Sequence, residues 1–97
     1  MSMKIKCENI ELTDSLMEVI NKDLNKLEKF EINMTDINVL LRKEEGPFHV
    51  EIMINSKRFG KISASADNSN IIEAIQEAFT RFESQMIKDK EKQVSHR

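Results

Sequence analysis

With 97 residues, 39% of them hydrophobic and 33% charged, the chain has material for one two-layer core and none for a second domain. Its 15 Lys and Arg against 17 Asp and Glu give a formal net charge of -2, so any basic surface must come from sorting charges between faces, not from an excess. Nothing approaches the ~20 apolar residues of a membrane span, and Cys7 stands alone, which excludes an internal disulfide and fits a reducing cytoplasm.

Met3, Ile5 and Cys7 alternate with Lys4 and Lys6, which predicts a short strand with one buried face and leaves no apolar run for a signal peptide. Thr13 followed by Asp14 reads as an N-cap with an acid in the first turn. From Asp14 to about Lys29, Leu16, Met17, Ile20, Leu24 and Leu27 form one stripe closed by Phe30, predicting an amphipathic helix. Glu31 to Thr35 reads as a connection. Ile37, Val39 and Leu41 then alternate with Asn38 and Arg42 in a strand of about seven residues, with Leu40 an apolar exception. Glu45-Gly46-Pro47 is a turn signal. Phe48, Val50, Ile52 and Ile54 alternate with His49, Glu51 and Met53 in the cleanest strand. After the turn at Asn55-Ser56-Lys57, Gly60 to Ala66 supplies a last strand whose inward Ile62, Ala64 and Ala66 let a helix come close.

Asp67 to Asn70 is a polar turn, and Asn70 and Glu73 are spaced like a capping box. A second helix is predicted over Asn70 to Lys92. At ~100° per residue, Ile71, Ile72, Ile75, Ala78, Phe79, Phe82 and Met86 fall within roughly 60° of Ile75. Beyond Met86 the stripe gives way to Lys88, Lys90 and Lys92, and residues 93–97 are expected to fray.

The predicted class is α+β, with the order β-α-β-β-β-α. The three consecutive strands are antiparallel meanders, and the first strand, reaching the second through a helix, is parallel to it. Two helices on one face of a four-stranded mixed sheet make a two-layer sandwich, a single domain over residues 1–97.

Enzyme chemistry finds little support. His49 lies on the outward side of a strand, His96 is in the tail, no Cys/His spacing suits zinc, and the two glycines are isolated. Glu44-Glu45 reads as a solvated turn, and Cys7 as a small buried hydrophobe. The expectation is no catalytic residue, no metal, no cofactor and no small-molecule substrate. The lysines say more. Lys22, Lys26 and Lys29 recur at i, i+4 and i+7 on the first helix, and Arg81, Gln85 and Lys88 repeat that spacing on the second. Two basic ridges could face one polyanion, although lysines on helices are more often a solvated face. Arg42-Lys43 and Lys57-Arg58 read as turn charges that discourage edge aggregation. Phe48, Phe59, Phe79 and Phe82 read as core, so contacts would be mainly to phosphates.

The stretches KIKCENIELTDSLMEVINKDLNKLEKF, INVLLRKEEGPFHVEIMI and ISASADNSNIIEAIQEAFTRFESQMIKDKEK resemble the ribosome hibernation-promoting factor family, also called ribosome-associated inhibitors or sigma-factor modulation proteins. The Leu12-Thr13-Asp14 start of the first helix, KLEKF at its end, and a small-residue strand before an Ala-Ile helix carry the resemblance, which spans Met3 to Lys92.

The resemblance implies a fold similar to double-stranded RNA-binding domains. It implies binding to the small ribosomal subunit and its RNA in the messenger and transfer RNA channel, at the A and P sites, silencing cytoplasmic ribosomes in stationary phase or stress. The implied RNA-binding positions are Lys22, Lys26, Lys29, Arg81, Lys88, Lys90 and Lys92. Ser84, Asp89 and Ile72 stand where relatives commonly carry a basic residue, a histidine and an aromatic. The chain is expected to be the short form, which acts with a separate ribosome modulation factor. The alternative expectation is a protein-interaction module acting on a regulator such as a sigma factor.

Overall fold

The computed structural model describes residues 2–95, and the side chains of residues 2–88. The chain runs β1 (Ser2–Glu8), α1 (Asp14–Leu27), a one-turn 3-10 helix (Glu28–Phe30), β2 (Met34–Lys43), β3 (Phe48–Ser56), β4 (Gly60–Asn68) and α2 (Ile71–Ser95). The sheet order is β1-β2-β3-β4, with β1 parallel to β2 and the other pairs antiparallel, as the element order requires.

Register explains which face is buried. Ile5 pairs with Val39, Val39 with Ile52 and Ile52 with Ala64, so one row of inward residues crosses all four strands. The rows through Ile37 and Ile54, and through Leu41 and Val50, run beside it, and all of these β2 and β3 residues are buried. Because side chains alternate with period two, a one-residue slip would turn this apolar set to solvent. At the β1 edge the burial predicted for the whole apolar face is incomplete: Met3 is exposed, and Ile5 and Cys7 are half-buried because no further strand among the described residues shields them.

Thr13 caps α1, its Oγ1 accepting a hydrogen bond from the Leu16 backbone N–H at 3.2 Å. Thr13→Ala is expected to cost about 1 kcal/mol, a drop of roughly 4–8 °C in Tm for a domain of this size, read by thermal unfolding. The helix is shorter than predicted. It ends at Leu27, tightens into the 3-10 turn, and is stopped by Glu31 in the left-handed region at φ 51°. Ile32, in the predicted connection, is buried and joins the core, and β2 begins at Met34. Asp23 is buried within the apolar stripe, while Met17 is only half-buried.

α2 packs across β4 and β3, with α1 beside it. Asn70 caps α2 through Oδ1, which accepts from the Glu73 N–H at 3.1 Å. The capping box is only half formed, because the Asn70 N–H donates to Asn68 Oδ1 at 2.9 Å, not back to Glu73. The buried stripe is rotated from the predicted one. Ala74 is fully buried and Ile72 is 39% exposed; small Ala74 and Ala78 let the helix turn that side inward, leaving Ile72 at the margin.

Phe79 and Phe82 are core, but Phe48 and Phe59 are not. Both are half-buried, and a cation covers each ring: Lys43 Nζ lies 4.1 Å from the Phe48 centroid, and the Arg58 guanidinium lies 5.2 Å from the Phe59 centroid. The expected fraying of 93–97 falls at the limit of the described residues. α2 is helical to Ser95, and His96 and Arg97 lie outside.

Candidate nucleic-acid interface

α1 presents its lysines because its opposite stripe is committed to the core: Leu16, Ile20, Leu24 and Leu27 face inward, leaving Lys22 and Lys26 exposed. Lys29 follows on the 3-10 turn, also exposed, with Nζ 5.3 Å from the centroid of the Phe30 ring. Among the described residues neither Lys22 nor Lys29 forms an ion pair. Lys26 does: Nζ lies 3.6 Å from Asp23 Oδ1, with Lys26 60% and Asp23 6% exposed. Burial pushes the Asp23 carboxyl above the usual carboxylate range, while Lys26 and Lys22 pull it the other way. Its other oxygen, Oδ2, is buried without a hydrogen-bond partner among the described residues.

The second ridge differs. Arg81 Nη1 donates to the Ser65 carbonyl at 2.8 Å, and Nη2 donates to Glu77 Oε2 at 3.0 Å. The guanidinium thus staples α2 to β4 and has its charge answered within the fold, which the i, i+4, i+7 spacing alone did not indicate; Glu77, four residues earlier, was the available signal. Lys88 is exposed on α2 beside Ile87. Lys90 and Lys92 lie on the α2 helix, but their side chains fall outside the described residues.

The sheet face away from the helices is mixed in charge. Arg42 Nε donates to Glu8 Oε1 at 2.6 Å, and this hydrogen bond and charge hold the Glu8 carboxyl below its ordinary range. His49 Nδ1 lies 2.7 Å from Asp67 Oδ1, with Glu51 Oε2 3.6 Å from Nε2. With Glu44, His49 and Asp67 form a group of three side chains whose ligand atoms lie within 4.8 Å of one another. His49 is already engaged by carboxylates, and no nucleophile with an adjacent base stands beside it among the described residues.

A family model described as sigma 54 modulation protein / S30EA ribosomal protein matches residues 3–94. The chain belongs to this family. It is a family of ribosome-associated factors, not of known enzymes. Among solved structures, this family member is similar to a ribosomal subunit interface protein from Coxiella burnetii. That match has 16% identity and a TM-score of 0.83, and covers 93% of this chain and 98% of that one. It is also similar to the N-terminal domain of Thermus thermophilus Protein Y, with 22% identity and a TM-score of 0.76, covering 89% and 96% of the two chains. At these identities the likeness is one of fold. No helix among the described residues is long and apolar enough to cross a membrane.

Proposed function

We propose that this protein is a ribosome hibernation factor. It binds the small ribosomal subunit in the cytoplasm, lies in the messenger and transfer RNA channel over the A and P sites, and keeps ribosomes inactive in stationary phase or stress. The observation that carries this reading is that Lys22 on α1 and Lys29 on the 3-10 turn after it are exposed and outside any ion pair among the described residues, in a family member whose net charge is -2. Positive charge left outside ion pairs among the described residues, where the chain has more acids than bases, is suited to phosphate. The contacts are to RNA backbone and shape, since the phenylalanines are either core or covered by cations. Lys26 and Lys88 extend this surface, Lys90 and Lys92 continue it along α2, and Arg81 contributes position more than free charge.

The test is sedimentation with ribosomes through sucrose gradients across a salt series. With about four phosphate contacts, log K should fall with log salt at a slope of roughly -3, losing about a hundredfold between ~50 and ~200 mM salt. Salt-insensitive binding to a single protein such as a sigma factor would replace this reading with that of a protein-interaction module.

A further inference from the structure

Turn charge at Lys57 and Arg58 has a ready explanation as protection of a sheet edge, but the geometry gives it a second use. The three-residue loop Lys57-Arg58-Phe59 closes on Gly60, whose φ of 74° lies in the left-handed region that such hairpins place on glycine. The loop is fastened at several points. Ser56 Oγ accepts from the Phe59 N–H at 2.9 Å, and the Lys57 N–H donates to the Asn33 carbonyl at 3.2 Å. Arg58 Nη1 donates to the Phe30 carbonyl at 2.9 Å, and its guanidinium lies over the Phe59 ring.

Phe30 is therefore the meeting point of two cations from distant parts of the chain: Lys29 lies over its ring, and Arg58 is bonded to its carbonyl. Lys57 and Arg58 are both exposed, and neither forms an ion pair among the described residues. Closing off one carbonyl uses one of the five donors of a guanidinium and none of its charge. What remains is a planar fork held at a fixed angle, which suits phosphate oxygens and loses little side-chain entropy on binding. The contrast with Arg81 is direct, since there a carboxylate cancels the charge.

We propose that Lys57 and Arg58 continue the α1 lysine ridge past Lys29, forming one phosphate-binding surface on which an RNA backbone is gripped by Arg58 at its end. The partner is an RNA backbone and not an unpaired base, because both aromatic rings at this end are already covered by cations. This inference rests on the ribosomal RNA reading above.

The test measures affinity for purified small ribosomal subunits over a salt series. It compares the wild-type chain with Lys22→Gln, Lys57→Gln, and the double variant Lys57→Gln/Arg58→Gln, each checked for folding by circular dichroism. The double variant should bind roughly tenfold more weakly near ~0.1 M salt, and its salt slope should flatten by about 1 to 2. Lys57→Gln guards against a folding defect, because the Lys57 side chain makes no hydrogen bond or ion pair among the described residues; it should flatten the slope by about 1. Wild-type affinity and slope in Lys57→Gln and in the folded double variant, with Lys22→Gln weakened, would overturn this proposal alone. A wild-type chain that binds no subunits overturns it together with the functional reading.

Discussion

Lys22→Glu/Lys29→Glu is expected to remove the protein from small ribosomal subunits in a sucrose gradient while leaving the chain folded, with its Tm lowered by several degrees. Both side chains are exposed and unpaired among the described residues, so neither reversal breaks an ion pair. The structural cost is the Lys29 contact with the Phe30 ring, worth about 0.5–1 kcal/mol at an exposed site, together with the longer-range attraction of Lys22 for the buried Asp23 carboxylate, which is weaker than that of Lys26. The binding cost is larger. Each reversal removes one attraction to phosphate and adds one repulsion; at about 1.4 kcal/mol per factor of ten, two reversals should weaken binding by roughly a hundredfold or more at ~0.1 M salt. Lys26 is left out because Lys26→Glu would set a second carboxylate beside buried Asp23 and confuse a folding defect with a binding one. A double variant that still comigrates at low salt would reduce the α1 ridge to an ordinary solvated surface and remove the main support for RNA binding.

The two kinds of lysine on α1 also show where sequence reading stops. Alternation and helical periodicity were sufficient for the element order, the parallel β1–β2 pair and the meander, because each rests on patterns within a few residues or on the shortness of turns. They could place Lys22, Lys26 and Lys29 on one ridge for the same reason. They could not tell which cations are free. Arg81 is engaged by the Ser65 carbonyl, 16 residues away, and Arg58 by that of Phe30, 28 residues away. Such contacts depend on how strands and helices pack, which no local period encodes. The misplaced phenylalanines have a similar origin: Phe48 alternates correctly with the core of β3 but sits at the strand's end, where Lys43 covers its ring instead of the helices. Ile72 fits the α2 stripe by angle, yet the burial of Ala74 rotates the helix away from it.

Asp23 yields the second large expected effect, and it links stability to binding. The residue lies among Ile20, Leu24 and Leu27 on the inward stripe of α1, with Oδ2 unpartnered among the described residues and Lys26, at 3.6 Å from Oδ1, as its ion-pair partner, Lys22 adding a weaker, longer-range attraction. Loss of hydration raises its carboxyl pKa in the folded protein. The folded chain therefore holds this proton to higher pH than the unfolded chain does. Between the unfolded value, near 4, and the raised folded value, the folded state binds more protons, so Asp23 makes stability fall as pH rises through that window. Above it the full cost of a buried, incompletely paired carboxylate remains. Asp23→Asn should therefore raise stability at pH 7 by about 1–2 kcal/mol, with the difference from wild type shrinking as pH falls from the raised folded value towards ~4 and lost below it, where Asp23 is protonated in both states. Denaturant unfolding at pH 7 and pH 3 measures it; an equal gain at both pH values would assign the effect to packing instead of charge. The same substitution frees Lys26. Under the proposed function it should tighten binding to small subunits and steepen the salt slope by up to about 1, so that one buried carboxylate holds back both the stability of α1 and the positive charge of its outer face.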